Sequence, residues 1–384
     1  VNKVNLRLHF KVLIFSLILL IGFSACETPE KVLKSNDLEY KIKTAKRWYE
    51  KKEYVKCIPV FEELMGLMKG TKSTEEIYYM YCWANYKQGD YMISAYHFNN
   101  FTKLYPNSDK AEECGYMSAK SNSKQSPKYQ LDQTNTFKAI ETYQAFVNNY
   151  PESSKVDTAN KDFILLRKKL ERKSLSNADL YFKTENYKAA ATAFRNILTD
   201  YPDIDNSDYI YYMIMNSLDK YAENSVPQKK KDRYHDVFKA YEDLKYRFPK
   251  SKYLDQAIFI ADNSHFKSVI AEYEYAKSLK PELRSAEWQL AIEEIEEQKP
   301  QIKEAKQLKK IDQLLEKAHY LWFKNDLFLA NESTLNIDKA KYLEESIKTY
   351  YKFVDKYKTG KYAKSAEMQF VKASDKLKKI KSNG

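Results

Sequence analysis

The chain is poor in the residues that interrupt helices and build turns, with 7 glycines and 10 prolines in 384 residues. So small a supply argues against a turn-rich β fold, and 33 tyrosines beside many Ala, Leu, Lys and Glu favour helices. Cysteine is scarce as well. Cys26, Cys57, Cys82 and Cys114 show no short metal-ligand spacing and imply no disulfide framework. The last three read as small buried residues at helix contacts, with one pairing among them left open. The five histidines, His9, His97, His235, His265 and His319, form neither a zinc-ligand pair at helical spacing nor a catalytic triad context. Between Gly66 and Ser73 the glycines stand four apart where a phosphate loop needs five, and Thr71 precedes Lys72, so no nucleotide site is read there. No carboxylate pair stands out for acid–base work. The expectation is a non-enzyme with no catalytic residue and no metal.

Long apolar runs are equally rare, and the one from Val12 to Phe23 follows Lys3, Arg7 and Lys11 and precedes Ser24, Ala25 and Cys26. Its twelve residues rise roughly 18 Å as a helix, against about 30 Å for a bilayer core. It therefore reads as the core of a lipoprotein signal peptide over residues 1–25, with Cys26 lipidated and residues 26–37 an anchor linker. The covalent lipid on Cys26 is the one non-protein group expected. Loss of the signal removes three basic side chains and no acidic one, so a net charge of +12 falls but stays positive. The basic residues are scattered, which describes a solvated surface, and export argues against a nucleic-acid partner. Glu27 is not the aspartate that retains some lipoproteins in the inner membrane, which points to the outer membrane, facing the periplasm.

What the chain has in quantity is a repeated pattern. A Tyr-Pro or Phe-Pro step recurs at Pro106, Pro151, Pro202 and Pro249, three times continuing to a serine at Ser108, Ser153 and Ser251. An aromatic stands eight residues before each proline (Phe98, Tyr143, Phe194, Tyr241) and a bulky apolar residue five before it (Phe101, Phe146, Ile197, Leu244). Those offsets share one helix face, the proline stops the helix, and the serine offers a cap for the next. Ser73 with Glu76 and Ser154 with Asp157 have the spacing of capping boxes.

Aligned on the prolines, the segments resemble tetratricopeptide repeats, helix-turn-helix units with small residues where helices cross. Tyr86 to Tyr91 reads Tyr-Lys-Gln-Gly-Asp-Tyr, a common turn of that class, and Cys82, Ser94, Phe98, Phe101 and Pro106 keep its offsets. Ala178, Tyr187, Ala190, Phe194, Ile197 and Pro202 repeat the pattern, as do Ala45, Tyr54, Cys57, Phe61 and Leu64, where Lys69 replaces proline. The expected fold is all-α: a tetratricopeptide-repeat superhelix of about five repeats over residues 38–265. A helical C-terminal extension over residues 266–384 follows, with a degenerate terminal repeat at Tyr350, Phe353 and Tyr357. Pro300 should interrupt that extension, and Leu308, Ile311, Leu315, Ala318 and Trp322 should dock on the array.

From Cys26 to about Asn263 the chain resembles the BamD family, tetratricopeptide lipoproteins of the outer-membrane β-barrel assembly machinery, in its Bacteroidetes-type form. The residues that carry this are the lipidation signal, Ser126 to Ser153 with its Leu131-Asp132-Gln133 step, and Ala222 to Pro227 followed by Arg233-Tyr234. The resemblance implies a lipid-anchored periplasmic scaffold that binds the BamA-like, barrel-inserting core subunit and helps recognise unfolded outer-membrane proteins, with no small-molecule substrate. Two other classes share parts of the pattern. One is a periplasmic repeat adaptor associated with the Tol-Pal system and division; the other is a glycan-binding outer-membrane lipoprotein.

In tetratricopeptide arrays the first helix of each unit lines the inner face. That face would present Ile42, Lys46, Tyr49, Tyr79, Trp83, Tyr86, Lys87 and Phe182, an aromatic and partly basic groove suited to an extended peptide. Trp83 and Lys87, four apart, are expected to be exposed. The same aromatics are equally suited to packing between repeats.

Overall fold

The computed structural model describes residues 27–382 and contains, among them, α-helices and one 3-10 turn but no strand. Cys26 and the segment before it lie outside the described residues. The chain divides into two compact units, one ending at Lys173 and the other beginning at Ser174.

The first unit begins with α1 (Pro29–Leu33), followed by α2 (Leu38–Glu50), α3 (Tyr54–Leu67), α4 (Lys72–Gln88), α5 (Tyr91–Leu104), α6 (Ala111–Lys124) and α7 (Thr134–Asn149), and takes in the start of α8 (Val156–Lys183). The second unit takes the rest of α8. It continues through α9 (Tyr187–Asp200), α10 (Ser207–Glu223), α11 (Pro227–Arg247), α12 (Leu254–Ser278), α13 (Pro281–Gln298), α14 (Ala305–Glu332), α15 (Asn336–Tyr357) and α16 (Ala363–Ser382). The expected boundary between residues 265 and 266 falls inside α12. In each unit helices pack on their neighbours in chain order, the contact pattern of stacked helix pairs.

One turn joins the two helices in three of these pairs, and a second ends the partner helix four times. Lys52, Gly89 and Glu185 each sit two residues before the tyrosine that opens the next helix, and all three adopt left-handed φ of 61°, 96° and 62°. In each case that residue and its successor donate backbone N–H groups to the carbonyls of the preceding turn: Lys52 to Tyr49 and Glu53 to Trp48, Gly89 to Tyr86 and Asp90 to Asn85, Glu185 to Phe182 and Asn186 to Tyr181. This left-handed termination satisfies carbonyls that the helix end would otherwise strand. The second turn ends the partner helix. Tyr105, Tyr150, Tyr201 and Phe248 stand before proline with φ near −130° and ψ of 60° to 70°. A residue preceding proline is driven out of the helical region, so the chain leaves the helix at the same offset four times.

The serine that follows closes this turn in a specific way. Ser108, Ser153 and Ser251 accept at Oγ from the backbone N–H of Lys110, Lys155 and Tyr253, at 3.1, 3.1 and 3.2 Å. Each hydroxyl then donates to a carboxylate in the first turn of the preceding pair's opening helix: Glu75 at 2.6 Å, Glu112 at 2.5 Å and Asp208 at 2.7 Å. The expected capping boxes are corrected here. Ser73 lies inside α4, whose N-cap is Thr71, and the serine that shapes the entry to α8 is Ser153, not Ser154.

The apolar positions read from the repeats fill the cores. Phe61, Leu64, Cys57, Cys82, Phe98 and Phe101 are buried together in the first unit, and Tyr143 and Phe146 centre a second cluster there. Phe194, Ile197 and Leu244 do the same in the second unit, where Tyr241 is only partly buried against the core. Helix pairing continues beyond Asn263. Pro300 sits in the 3-10 turn Lys299–Gln301 that separates α13 from α14. Ile311, Leu315, Ala318 and Trp322 of α14 are buried against Tyr273, Trp288 and Ile292. At the last turn Lys358 replaces proline, and the Glu316 carboxylate accepts from the backbone N–H of Tyr362 at 3.0 Å. A carboxylate from the preceding pair thus still holds the turn where the serine is missing.

The expected anchor linker is corrected too. Residues 29–33 form a helix, Val32 is fully buried in the first core, and the Lys41 ammonium donates to the Leu33 carbonyl at 2.9 Å.

Candidate peptide-binding face

On α2 and α4 the predicted residues recur at three- and four-residue steps, so each set shares a stripe of its helix. The structure brings Lys46, Tyr49, Tyr79, Trp83, Tyr86 and Lys87 into the first unit; Phe182 belongs to the second, edge-on to Tyr187 at 5.4 Å and packed against that unit's core. Tyr79, Trp83 and Tyr86 form an aromatic ladder along α4, with centroids 6.4 Å apart for the first two and 5.6 Å for the last two.

Exposure corrects the expectation for Trp83. Its ring is half-buried, meets Phe98 edge-on at 5.7 Å and packs against the first core. The indole N–H is buried without a hydrogen-bond partner. Lys87 is exposed, as expected, with its ammonium 5.2 Å from the Trp83 ring centre. Tyr49 is likewise half-buried, edge-on to Tyr54 at 5.8 Å, and burial pushes its hydroxyl up to about 12.

The charges of this face are tied to one another across successive opening helices. Lys46 pairs with Glu76 at 2.7 Å, the Tyr79 hydroxyl donates to Glu113 at 2.5 Å, and Lys120 pairs with Asp162 at 3.1 Å. Asp162 also accepts from the buried Tyr143 hydroxyl at 2.9 Å. Burial, then the bond to Glu113, raises the Tyr79 hydroxyl above its ordinary value. Burial alone would lower Lys120, but its bonds to Asp162 and Tyr116 outweigh that and hold it above the usual ammonium value. The face is therefore less basic than the sequence implies. A carboxylate approaching Lys46 must compete with Glu76, while Lys87 and Lys110, the latter 4.8 Å above the Tyr79 ring, carry positive charge beside the aromatics.

Sequence reasoning missed Glu76, Glu113, Tyr116, Lys120 and Asp162. A signal was present, since the partners stand 30, 34 and 42 residues apart, one repeat step in each case. Variable repeat length hides it from a fixed-period search.

The stretches that suggested a family are also explained locally. Gln133 is buried, donates to the carbonyls of Lys128 and Leu131 at 2.8 and 2.9 Å, and accepts from Thr136 at 2.7 Å. Lys173 donates to the Leu131 carbonyl at 2.6 Å, and Arg172 lies 4.3 Å over the Tyr129 ring. The loop is held rigidly while Leu131 itself stays 58% exposed. In the second unit Pro227 opens α11, and Arg233 lies 3.8 Å over the Tyr221 ring and donates to Ser225.

Residues 40–207 match the family described as YfiO, outer membrane lipoprotein. The outer membrane protein assembly factor BamD of Pasteurella multocida (strain Pm70) is 24% identical over 161 residues, covering 39% of this chain. The match spans 62% of that relative's own length. Among solved structures, the TPR2AB-domain:pHSP90 complex of yeast Sti1 covers 73% of this chain and 98% of its own, at 13% identity and a TM-score of 0.28. Naa15/Naa10 bound to HypK-THB covers 90% of this chain and 64% of its own, at 13% identity and a TM-score of 0.22. Scores so low carry no argument about function. Both matches support the resemblance to the BamD family, and the family match falls on the repeats from which the sequence suggested it.

Proposed function

We propose that this protein is a lipid-anchored scaffold of the outer-membrane β-barrel assembly machinery, facing the periplasm, that binds the barrel-inserting core subunit and helps receive unfolded outer-membrane proteins. The observation that carries the reading is the match of residues 40–207 to an outer membrane lipoprotein family. The partly exposed aromatic ladder of α4 and its neighbouring lysines suit an extended, aromatic-rich segment, because rings bury large area at little entropic cost and ammonium groups pair with carboxylates. The role is one of holding, with no chemical step.

The test is gentle solubilisation of membranes, purification through a C-terminal tag and mass spectrometry of what accompanies the protein, with Cys26→Ser as the unanchored control. Co-purification of a large barrel protein bearing periplasmic repeat domains is the expected result. Recovery of division or glycan-uptake proteins instead would overturn the assignment in favour of those classes.

A further inference from the structure

The residue that follows Cys26 is already part of the folded first unit. Glu27 accepts from the Tyr40 hydroxyl at 2.5 Å and pairs with Arg47, both on α2. Immediately after it α1 is docked by Val32, fully buried, and by Lys41, itself buried, whose ammonium holds the Leu33 carbonyl at 2.9 Å and Glu63 at 2.8 Å. A free linker over residues 26–37 would give its ends a root-mean-square separation of roughly 20 Å. The docked segment removes that freedom. Adjacent Cα atoms are about 3.8 Å apart, so a group carried on Cys26 is tethered one residue from Glu27, which Tyr40 and Arg47 of α2 hold.

That flank is not the one facing a ligand. Helical geometry advances about 100° per residue, which places Tyr40 and Arg47 together and Ile42, Lys46 and Tyr49 together, with roughly 140° between the two sets. We propose that the lipid anchor has no slack. The first unit is held on the membrane in one orientation, with the Tyr40–Arg47 flank of α2 toward the bilayer and the Ile42–Lys46–Tyr49 flank turned away from it. This rests on the lipidation of Cys26 in the proposed function. Lys31 on α1, Lys34 just after it and Lys51 just after α2 are exposed, and on the anchored side acidic head groups would meet them.

The experiment uses the full lipidated chain in vesicles of phosphatidylethanolamine and phosphatidylglycerol, a fraction of whose head groups carry a quencher. A fluorophore is placed through Lys51→Cys on the anchored flank or Lys87→Cys on the aromatic face; the native thiols of Cys57, Cys82 and Cys114 are buried and do not compete. Loss of most emission at position 51 and none at position 87 is expected. Inserting about ten Gly/Ser residues after Cys26, combined with Tyr40→Phe and Arg47→Gln, adds a flexible reach of roughly 17 Å and should erase the difference. Equal quenching at both positions in the unmodified tether overturns the fixed orientation alone. Failure of the chain to float with vesicles, matching Cys26→Ser, overturns the anchor and the orientation with it.

Discussion

Trp83 shows how a side chain on the proposed peptide-binding face also holds the fold. Its ring contacts Tyr79, Tyr86 and Phe98, so Trp83→Ala should cost about 3 kcal/mol, the low end for a truncated buried aromatic because one edge meets solvent. Trp83→Phe keeps most ring contacts, discards the unpartnered indole N–H and should cost less than half as much; Lys87→Glu should leave stability nearly unchanged. Urea unfolding of the three variants checks this, and equal losses for Trp83→Ala and Lys87→Glu would contradict it. The stripe itself was legible from residue spacing. Its burial was not, because three- and four-residue spacing is common to core and groove faces. A second residue-scale case is Asp326 on α14, buried with the hydroxyls of Ser285 at 2.5 Å and Thr349 at 3.1 Å as its partners. Burial pushes its carboxyl up to about 6 from 3.8. Such a group costs stability where the folded chain must hold it ionised: the cost is full above about pH 6 and fades as pH falls toward 3.8. The gap corresponds to roughly 3 kcal/mol at most. Asp326→Asn should therefore stabilise the second unit at pH 7, with the gain over the wild type vanishing near pH 4, as followed by the fluorescence of Trp288 and Trp322. His319 opposes this in the wild type. Burial, then Lys356, pushes it down to about 4 from 6.5, so its contribution to stability is lost as pH falls through that window.

At the scale of helices and turns, the sequence displayed the punctuation and concealed the partners. The prolines and the serines after them marked four helix ends, but the carboxylates that the serines bind stand 33, 41 and 43 residues earlier, a distance that changes with each repeat. The left-handed turn was legible only at Gly89, because Lys52 and Glu185 adopt the same backbone without the residue type that advertises it. This contrast yields a paired prediction. Gly89 has open space around a would-be Cβ but φ of 96°, so Gly89→Ala should destabilise the first unit by about 1 kcal/mol through backbone strain alone. Gly66 lies exposed inside α3, also with open space, and Gly66→Ala should stabilise by a similar amount through helix propensity. Thermal unfolding of the two variants should move in opposite directions; a shared direction would refute the turn assignment.

Across the whole chain, what persists is the pairing of neighbouring helices, and it outlasts the motif that revealed it. The Tyr/Phe-Pro step stops at Pro249, yet α12 to α16 continue the stacking, with Glu316 and Tyr362 replacing the serine tie. The region therefore looked like an appended extension in sequence because the Tyr/Phe-Pro punctuation ends while the pairing of successive helices continues. The same regular packing decides the chemistry of the cysteines. Cys57, Cys82 and Cys114 occupy small positions between helices, all are buried free thiols, and burial raises each above its ordinary value, Cys57 to about 12. Since thiolate is the reactive form, an oxidising compartment should leave them reduced while the fold is intact. Native Cys26→Ser protein should take up no maleimide over hours, and three labels per chain once unfolded in urea. Labelling of the native chain, or a mass lower by the two hydrogens of a disulfide, would show that helix packing does not shield them.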